Sequence, residues 1–466
     1  MKHFPLLLLT FITFILFTSI IPSDVAAQDT LRISLNEFIE RGLERSGEAA
    51  YRGNAVDLAD NRADQARNQR ILPRVELSTQ HGVIPGVVSQ DDELSPGEFY
   101  LDPNLSNDWE DWAIFTRAEL NAVQPLFTWG AINSGIAATE SAANAARFQF
   151  EAEKKEIELQ LYELYFSYQL ALEMERLLSE AESTLRQVER QIREMEEEGD
   201  PDLKQSDIFK FEIFKAEFQV QRVEVRESLD FVQRVWNHAM DADRTTVYQP
   251  ESTHLDPVPF ELESFSYYEA LAMEERPELR GAEAGIEATR KSIDAVRAQN
   301  YPALFLGITG SYANTPNRPR QTNPFIINNT NFASAAVGLS IRQNLNFQSN
   351  RTNVDRARIE HRRVNNLKDA LTDGIVLELN DRYREAVVAQ TRVTQLEEVL
   401  TISRNWVRQE QLDYDFGFGD VNDLIESVQK ELETEVDLKQ KVFELNKRVA
   451  TLYKAAGIPL SQLSLN

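Results

Sequence analysis

The chain has 466 residues, a formal charge of −26, no Cys, 17 Pro and 18 Gly. The acidic balance argues against a nucleic-acid binder, which needs clustered Lys and Arg to displace counterions. The absence of Cys removes disulfides, thiolate metal sites and Cys nucleophiles, and sparse Gly and Pro among many Ala, Glu, Leu and Arg favour long helices.

At the amino end, Lys2 and His3 precede the apolar run Phe4–Ile21, and Val25-Ala26-Ala27 supplies the small residues read by a signal peptidase. The pattern predicts a secretory signal over 1–27, cleaved after Ala27, the alternative being an uncleaved anchor. No Cys follows to carry a lipid, and no other segment is apolar and long enough to span a bilayer as a helix.

The rest reads as one pattern written twice. The first repeat, 28–240, starts near Leu35-Asn36-Glu37-Phe38 and passes through Leu72-Pro73 into alternating segments at about 73–89 and 112–127, the latter ending Gln124-Pro125-Leu126-Phe127. A long helical run follows to Gly199-Asp200-Pro201, then a further helix from Ser206-Asp207. Residues 241–264, with Pro250, Pro257 and Pro259, read as a linker packed on the helices. The second repeat, 265–458, again moves from a helical stretch through Tyr301-Pro302 into alternating segments at about 302–314 and 332–347, then a long helix, a break at Phe416-Gly417-Phe418-Gly419, and a helix from Asn422-Asp423. Residues 459–466 form a short tail.

The long runs contain no Pro between Leu126 and Asp200, or between Phe325 and Ile458. Pro in a helix interior costs about 3 kcal/mol, so its absence permits unusual length. As one helix, residues 131–198 would span about 100 Å at about 1.5 Å per residue. Apolar residues recur at alternating steps of three and four, as in Leu178, Ala181, Leu185, Val188, Ile192 and Met195, which favours coiled-coil packing.

The alternating segments place Arg117, Glu119 and Asn121 on one face and Ala118, Leu120 and Ala122 on the other. Ala333, Ala335, Val337, Leu339 and Ile341 oppose Ser334, Ser340 and Arg342 in the same way. Such strands fit a lipid-facing, water-lined barrel, and equally a sandwich with one wet face. In a membrane, about four strands per chain are too few: known barrels need about eight or more, and an open sheet in lipid leaves backbone groups unpaired. Three copies would give about twelve strands. The predicted fold is therefore mainly α with transmembrane β: coiled-coil-like helical hairpins plus four strands, completing a barrel and a helical tunnel as a trimer.

The two-copy layout, the Pro-led strands, Gln124-Pro125-Leu126-Phe127 with Gly130, and Tyr414-Asp415-Phe416-Gly417 followed by Asp423-Leu424-Ile425 make the chain resemble the TolC-type outer-membrane efflux proteins. The resemblance implies a homotrimeric outer-membrane channel with a periplasmic helical extension. Its partners would be outer-membrane lipid, a periplasmic adaptor (membrane fusion) protein and an inner-membrane pump, and its cargo small molecules or secreted proteins. It implies adaptor docking at the tips Gly199 and Gly417, an acidic entrance ring from Asp423 and Glu426, and latch residues Asp207 and Tyr414. From the residues alone, Asp207 reads equally as a helix cap, and Asp423 and Glu426 as acids favoured at a helix N-terminus. Gly419 stands where the family's latch often has a base, and Asn344 and Asn350 replace an expected Pro and Gly.

Two other readings compete. A periplasmic coiled-coil scaffold or adaptor would explain the signal and heptads but not the paired strands. A secreted enzyme would need an organised site, yet His-Glu-x-x-His, phosphate-loop and nucleophile-elbow patterns are absent and the five His are scattered. No catalytic residue, cofactor or metal is expected.

Overall fold

A computed structural model describes residues 29–90, 101–199, 203–241, 246–320, 325, 328–416 and 419–463. The expected signal over 1–27, most of the acidic stretch after Gln90, and Gly417 lie outside the described residues.

In chain order the elements are β1 (Asp29–Ile33), α1 (Leu35–Arg45), α2 (Gly47–Ile71), β2 (Arg74–Val88), β3 (Ser106–Phe127), α3 (Ala131–Glu198), α4 (Gln205–Ala239), β4 (Thr246–Pro250), α5 (Phe265–Glu275), α6 (Pro277–Ala298), β5 (Ala303–Asn314), β6 (Phe332–Arg342), α7 (Phe347–Asp415) and α8 (Val421–Ala456), then a 3-10 turn, Leu460–Leu463. The chain divides into two compact units. One holds Met1–Ala49, Lys155–Phe265 and Asn380–Asn466; the other holds Ala50–Lys154 and Ser266–Leu379. Each unit draws on both sequence repeats.

The first unit is helical with a small parallel pair, β1 on β4, running from Asp29 opposite Thr246 to Ile33 opposite Pro250. Its core is aromatic. Trp236 and Phe38 are both fully buried and stack at 4.1 Å, with Tyr165 and Tyr168 packed round the indole. Such ring pairs contribute about 0.5–1.5 kcal/mol beyond their burial. The indole N–H donates to the Leu164 carbonyl at 3.0 Å, so the buried Trp236 donor is satisfied. The linker is fastened to α8 by side chains reading its backbone. Asn446 accepts from the Val258 N–H and donates to the Asp256 carbonyl, and the Lys439 ammonium donates to the Leu255 carbonyl. Beneath them Glu173, fully buried, accepts from Arg176 at 2.8 Å and pairs with Lys439 at 3.0 Å.

The second unit carries an antiparallel sheet of order β2-β3-β5-β6. Four differences from the sequence reading appear. Each opening helical stretch is two helices, because Ser46 caps the second by accepting from the Ala49 N–H and Pro277 starts α6 with its ring already at a helical φ. Next, β3 begins at Ser106, ahead of the expected 112, and β6 stops at Arg342, short of 347. The early stop has a local cause. Asn344 accepts from the Asn346 N–H, Asn346 from the Ser349 N–H, and the Asn350 amide donates back to the Asn344 carbonyl, so side chains take over from the ladder. Finally, β1 and β4 extend the strand count beyond the four expected.

Candidate functional site

The register divides the four-stranded sheet into two chemically distinct faces. Opposed residues share a face. On one face lie Val75, Leu77 and Val83 of β2, Leu120 and Ile114 of β3, Ile308 of β5, and Val337, Leu339 and Ile341 of β6. All nine are exposed large hydrophobics. On the other face lie Glu76, Ser78, Glu119, Asn121, Thr309, Ser334 and Ser340, with Arg117 paired to Glu119 at 3.0 Å. An apolar face left bare on every strand is costly in water and favourable in lipid. Aromatic residues stand near both ends of β3: Trp109 and Trp112 at its start, Phe127 and Trp129 at its finish. The sheet does not close on itself. Strands β2 and β6 form its edges, and since each neighbouring pair is antiparallel, these edges run in opposite directions.

The exit of β3 explains one sequence signal. Trp129 has φ 53 and Gly130 has φ 84, and the Trp129 indole donates to the Pro302 carbonyl at 2.8 Å. The left-handed turn before α3 favours Gly at position 130.

The helix tips are the second feature. Gly199, at φ 68, closes α3. The starts of α4 and α8 lie side by side: Lys204 pairs with Asp420 at 3.4 Å, and Lys210 donates to the Asn422 side-chain oxygen at 2.8 Å. Phe211, Phe218, Leu178, Ile192 and Ile425 form the core beneath. Asp420 caps α8 by accepting from the Asn422 N–H at 2.8 Å, so the capping role falls to Asp420 and leaves Asp423 and Glu426 exposed, three residues apart on one face. Asp207 is 3% exposed, and the cap position of its helix is Lys204. One Asp207 carboxylate oxygen accepts from Ser206 at 3.2 Å, while the other is buried with no hydrogen-bond partner. Tyr414 packs on the same core and its hydroxyl donates to the Met195 sulfur at 3.2 Å. A Cβ on Gly419 would lie 2.6 Å from the Tyr414 backbone nitrogen and 2.9 Å from two further backbone atoms. The Gly419 N–H also donates to the Asp413 carbonyl at 2.9 Å. A side chain cannot occupy this position without opening the turn.

Sequence reasoning missed Lys204, Lys210 and Asp420, and read Met195 only as a member of the coiled-coil repeat. Only Asp420, three residues before Asp423 at a helix start, left a readable capping pattern. Among the described residues no group of His, Asp or Glu is arranged to hold a metal, and no helix is long and apolar enough to cross a membrane.

Residues 269–458 match the family model described as outer membrane efflux protein. The match falls within the second sequence repeat. No curated protein matches the sequence. Solved outer-membrane channels and proteins share the fold at low identity. The open state of the Neisseria gonorrhoeae MtrE outer membrane channel aligns with TM-score 0.69 at 14% identity, covering 91% of this chain and 89% of that one. The Campylobacter jejuni CmeC outer membrane channel gives 0.66 at 14%, covering 91% and 85%. The outer membrane protein VceC from Vibrio cholerae gives 0.63 at 15%, covering 91% and 96%.

Proposed function

We propose that three copies of this chain form a non-enzymatic exit duct of the outer membrane, receiving small molecules or proteins from a periplasmic adaptor and an inner-membrane pump. The observation that carries this reading is the sheet: apolar on one face, polar on the other, with two free edges of opposite direction. A β6 edge can therefore meet the next copy's β2 in the same antiparallel alternation. Three copies then supply about twelve strands, an even number in the range of bacterial barrels.

Helices support the same stoichiometry. Phe209, Ile213, Val220, Val223 and Phe231 of α4 are all about 60% exposed. Ile359, Leu367, Leu377, Val399 and Ile402 of α7 are exposed as well. Unpartnered apolar stripes on long helices are what neighbouring copies would cover. The buried, unpaired oxygen of Asp207 is costly unless something donates to it, and a neighbouring copy is the natural source. On this reading Asp207 and Tyr414 take part in holding the entrance, Asp423 and Glu426 form its acidic ring, and Gly199 and Gly417 mark the adaptor-docking tips.

Single-channel recording of the detergent-extracted protein in a planar bilayer tests the proposal. Discrete conductance with cation preference, reduced in Asp423→Ala/Glu426→Ala, is expected. A non-conducting monomer released from membranes by salt alone would return the scaffold reading.

A further inference from the structure

The polar face of the sheet ends, on the side where the strands meet helices, in a cavity that the duct reading does not use. It measures about 800 Å³ and is lined by Arg62 and Gln65 of α2, Ile132 of α3, Tyr301, Phe305 and Arg342. A contiguous cavity shares Gln65, Ile132, Phe305 and Arg342 and adds Arg74 and Glu76. The volume lies within the range of small-molecule sites, about 300–1,000 Å³.

Its charge runs against that of the chain. In a protein of formal charge −26, the charged residues around the two cavities are three Arg, at 62, 74 and 342, and one Glu, at 76. Arg74 is only loosely paired with Glu76, at 4.0 Å. Arg342 has no carboxylate partner among the described residues. Its guanidinium instead stands over the Phe305 ring, 5.2 Å from the centroid. Phe305 pairs with Ser340 and Ala303 with Arg342 in the register, so both side chains belong to the polar face. Arg74 begins β2 and Arg342 ends β6, which places cations on both edge strands at the same end of the sheet.

We infer that this junction is a binding site for organic anions with an aromatic or other flat apolar body, resting on the reading of the chain as a duct whose lumen the polar face lines. The anionic group meets the Arg guanidiniums, whose planar forks match carboxylates, sulfonates and phosphates. The apolar body lies among Phe305, Tyr301 and Ile132, and Gln65 supplies a neutral hydrogen-bonding group. Arg342 is already oriented by its ring, so little side-chain entropy is lost on binding. The site gives the duct a chemical preference separate from the acidic entrance: the entrance attracts small cations, and the junction retains amphipathic anions.

The test is block of single-channel current by naphthalene-1,5-disulfonate added on the barrel side, compared with naphthalene-1-methylammonium. The disulfonate should reduce the current at concentrations where the cation does not. Arg342→Gln and Arg62→Gln should each weaken that block about tenfold, the loss expected for one charge-assisted contact, and Arg342→Lys, which keeps the charge but not the planar fork, should restore only part of it. Conducting wild-type channels indifferent to the disulfonate, or block unchanged in both Gln variants, would overturn the site while leaving the duct intact. Absence of any conductance would instead remove the duct reading, and the site with it.

Discussion

Tyr414 donates its hydroxyl to the Met195 sulfur at 3.2 Å, joining the last turns of the two longest helices. Thioether sulfur is a weak acceptor, so this contact holds without locking. Tyr414→Phe keeps the ring in its apolar site and removes the donation to Met195. It should lower stability by no more than about 1.5 kcal/mol and raise the fraction of time the channel is open, which single-channel recording reads directly. A closed time unchanged from wild type would detach Tyr414 from the entrance.

Gly419 should tolerate no side chain. Gly419→Ala places a methyl inside contact distance of the Tyr414 and Asp413 backbone, and overpacking of this kind costs about 1–3 kcal/mol. Gly419→Arg should therefore fail to create a latch and should lower the melting temperature further than the Ala variant does. A stable Gly419→Arg protein with reduced conductance would reverse this account.

The sheet faces can be separated by a matched pair. Val337→Arg puts a charge on the apolar face and should cost about 2–4 kcal/mol at mid-membrane depth, seen as lost barrel assembly on unheated gels. Ser340→Arg, three residues on and facing the other way, should assemble normally. Equal behaviour of the two variants would refute the assignment of the faces.

Glu173 sets an acid limit. Burial raises its carboxyl, but the hydrogen bonds from Arg176 and Lys439 outweigh that and hold it below the ordinary value. A lowered folded pKa contributes stability above the unfolded value, about 4.3, and loses it as pH falls through the folded one. Urea midpoints should be steady near neutral pH and fall below about pH 5. Glu173→Gln should be less stable at pH 7 by about 2 kcal/mol, since it removes the carboxylate nearest Lys439, itself mostly buried, and leaves that ammonium with the Leu255 carbonyl and the more distant Asp256. Its decline in acid should be shallower than that of the wild type.

Oligomer state is open to a direct check. Val220→Asp/Val223→Asp adds charge to an exposed apolar stripe of α4 without touching a buried residue. Light scattering in detergent should show dissociation to single chains. A persisting trimer would move the subunit contact elsewhere.

What the sequence disclosed follows from how local each cause is. The faces of β3, β5 and β6 were readable because side-chain direction alternates with each residue. Helix length was readable from missing Pro. Gly130 announced its turn, since its left-handed φ favours a residue without a Cβ. The end of β6 was hidden because three Asn residues act together there, and no one of them is decisive. The β1–β4 pair was hidden because each partner is five residues long and they meet across the whole first repeat. Burial of Asp207 and the seating of Arg342 over Phe305 are products of packing, which no spacing rule encodes.

The β1–β4 pair also constrains the order of events in biogenesis. Its amino-terminal half is made early, yet the residues it needs, Thr246–Pro250, emerge only after α4 is complete. Made from its amino end, the chain must therefore hold β1 unattached until Pro250 has been added. A nascent product truncated before position 246 would keep a loose head, open to proteases, and full-length product would gain protection in a single late step.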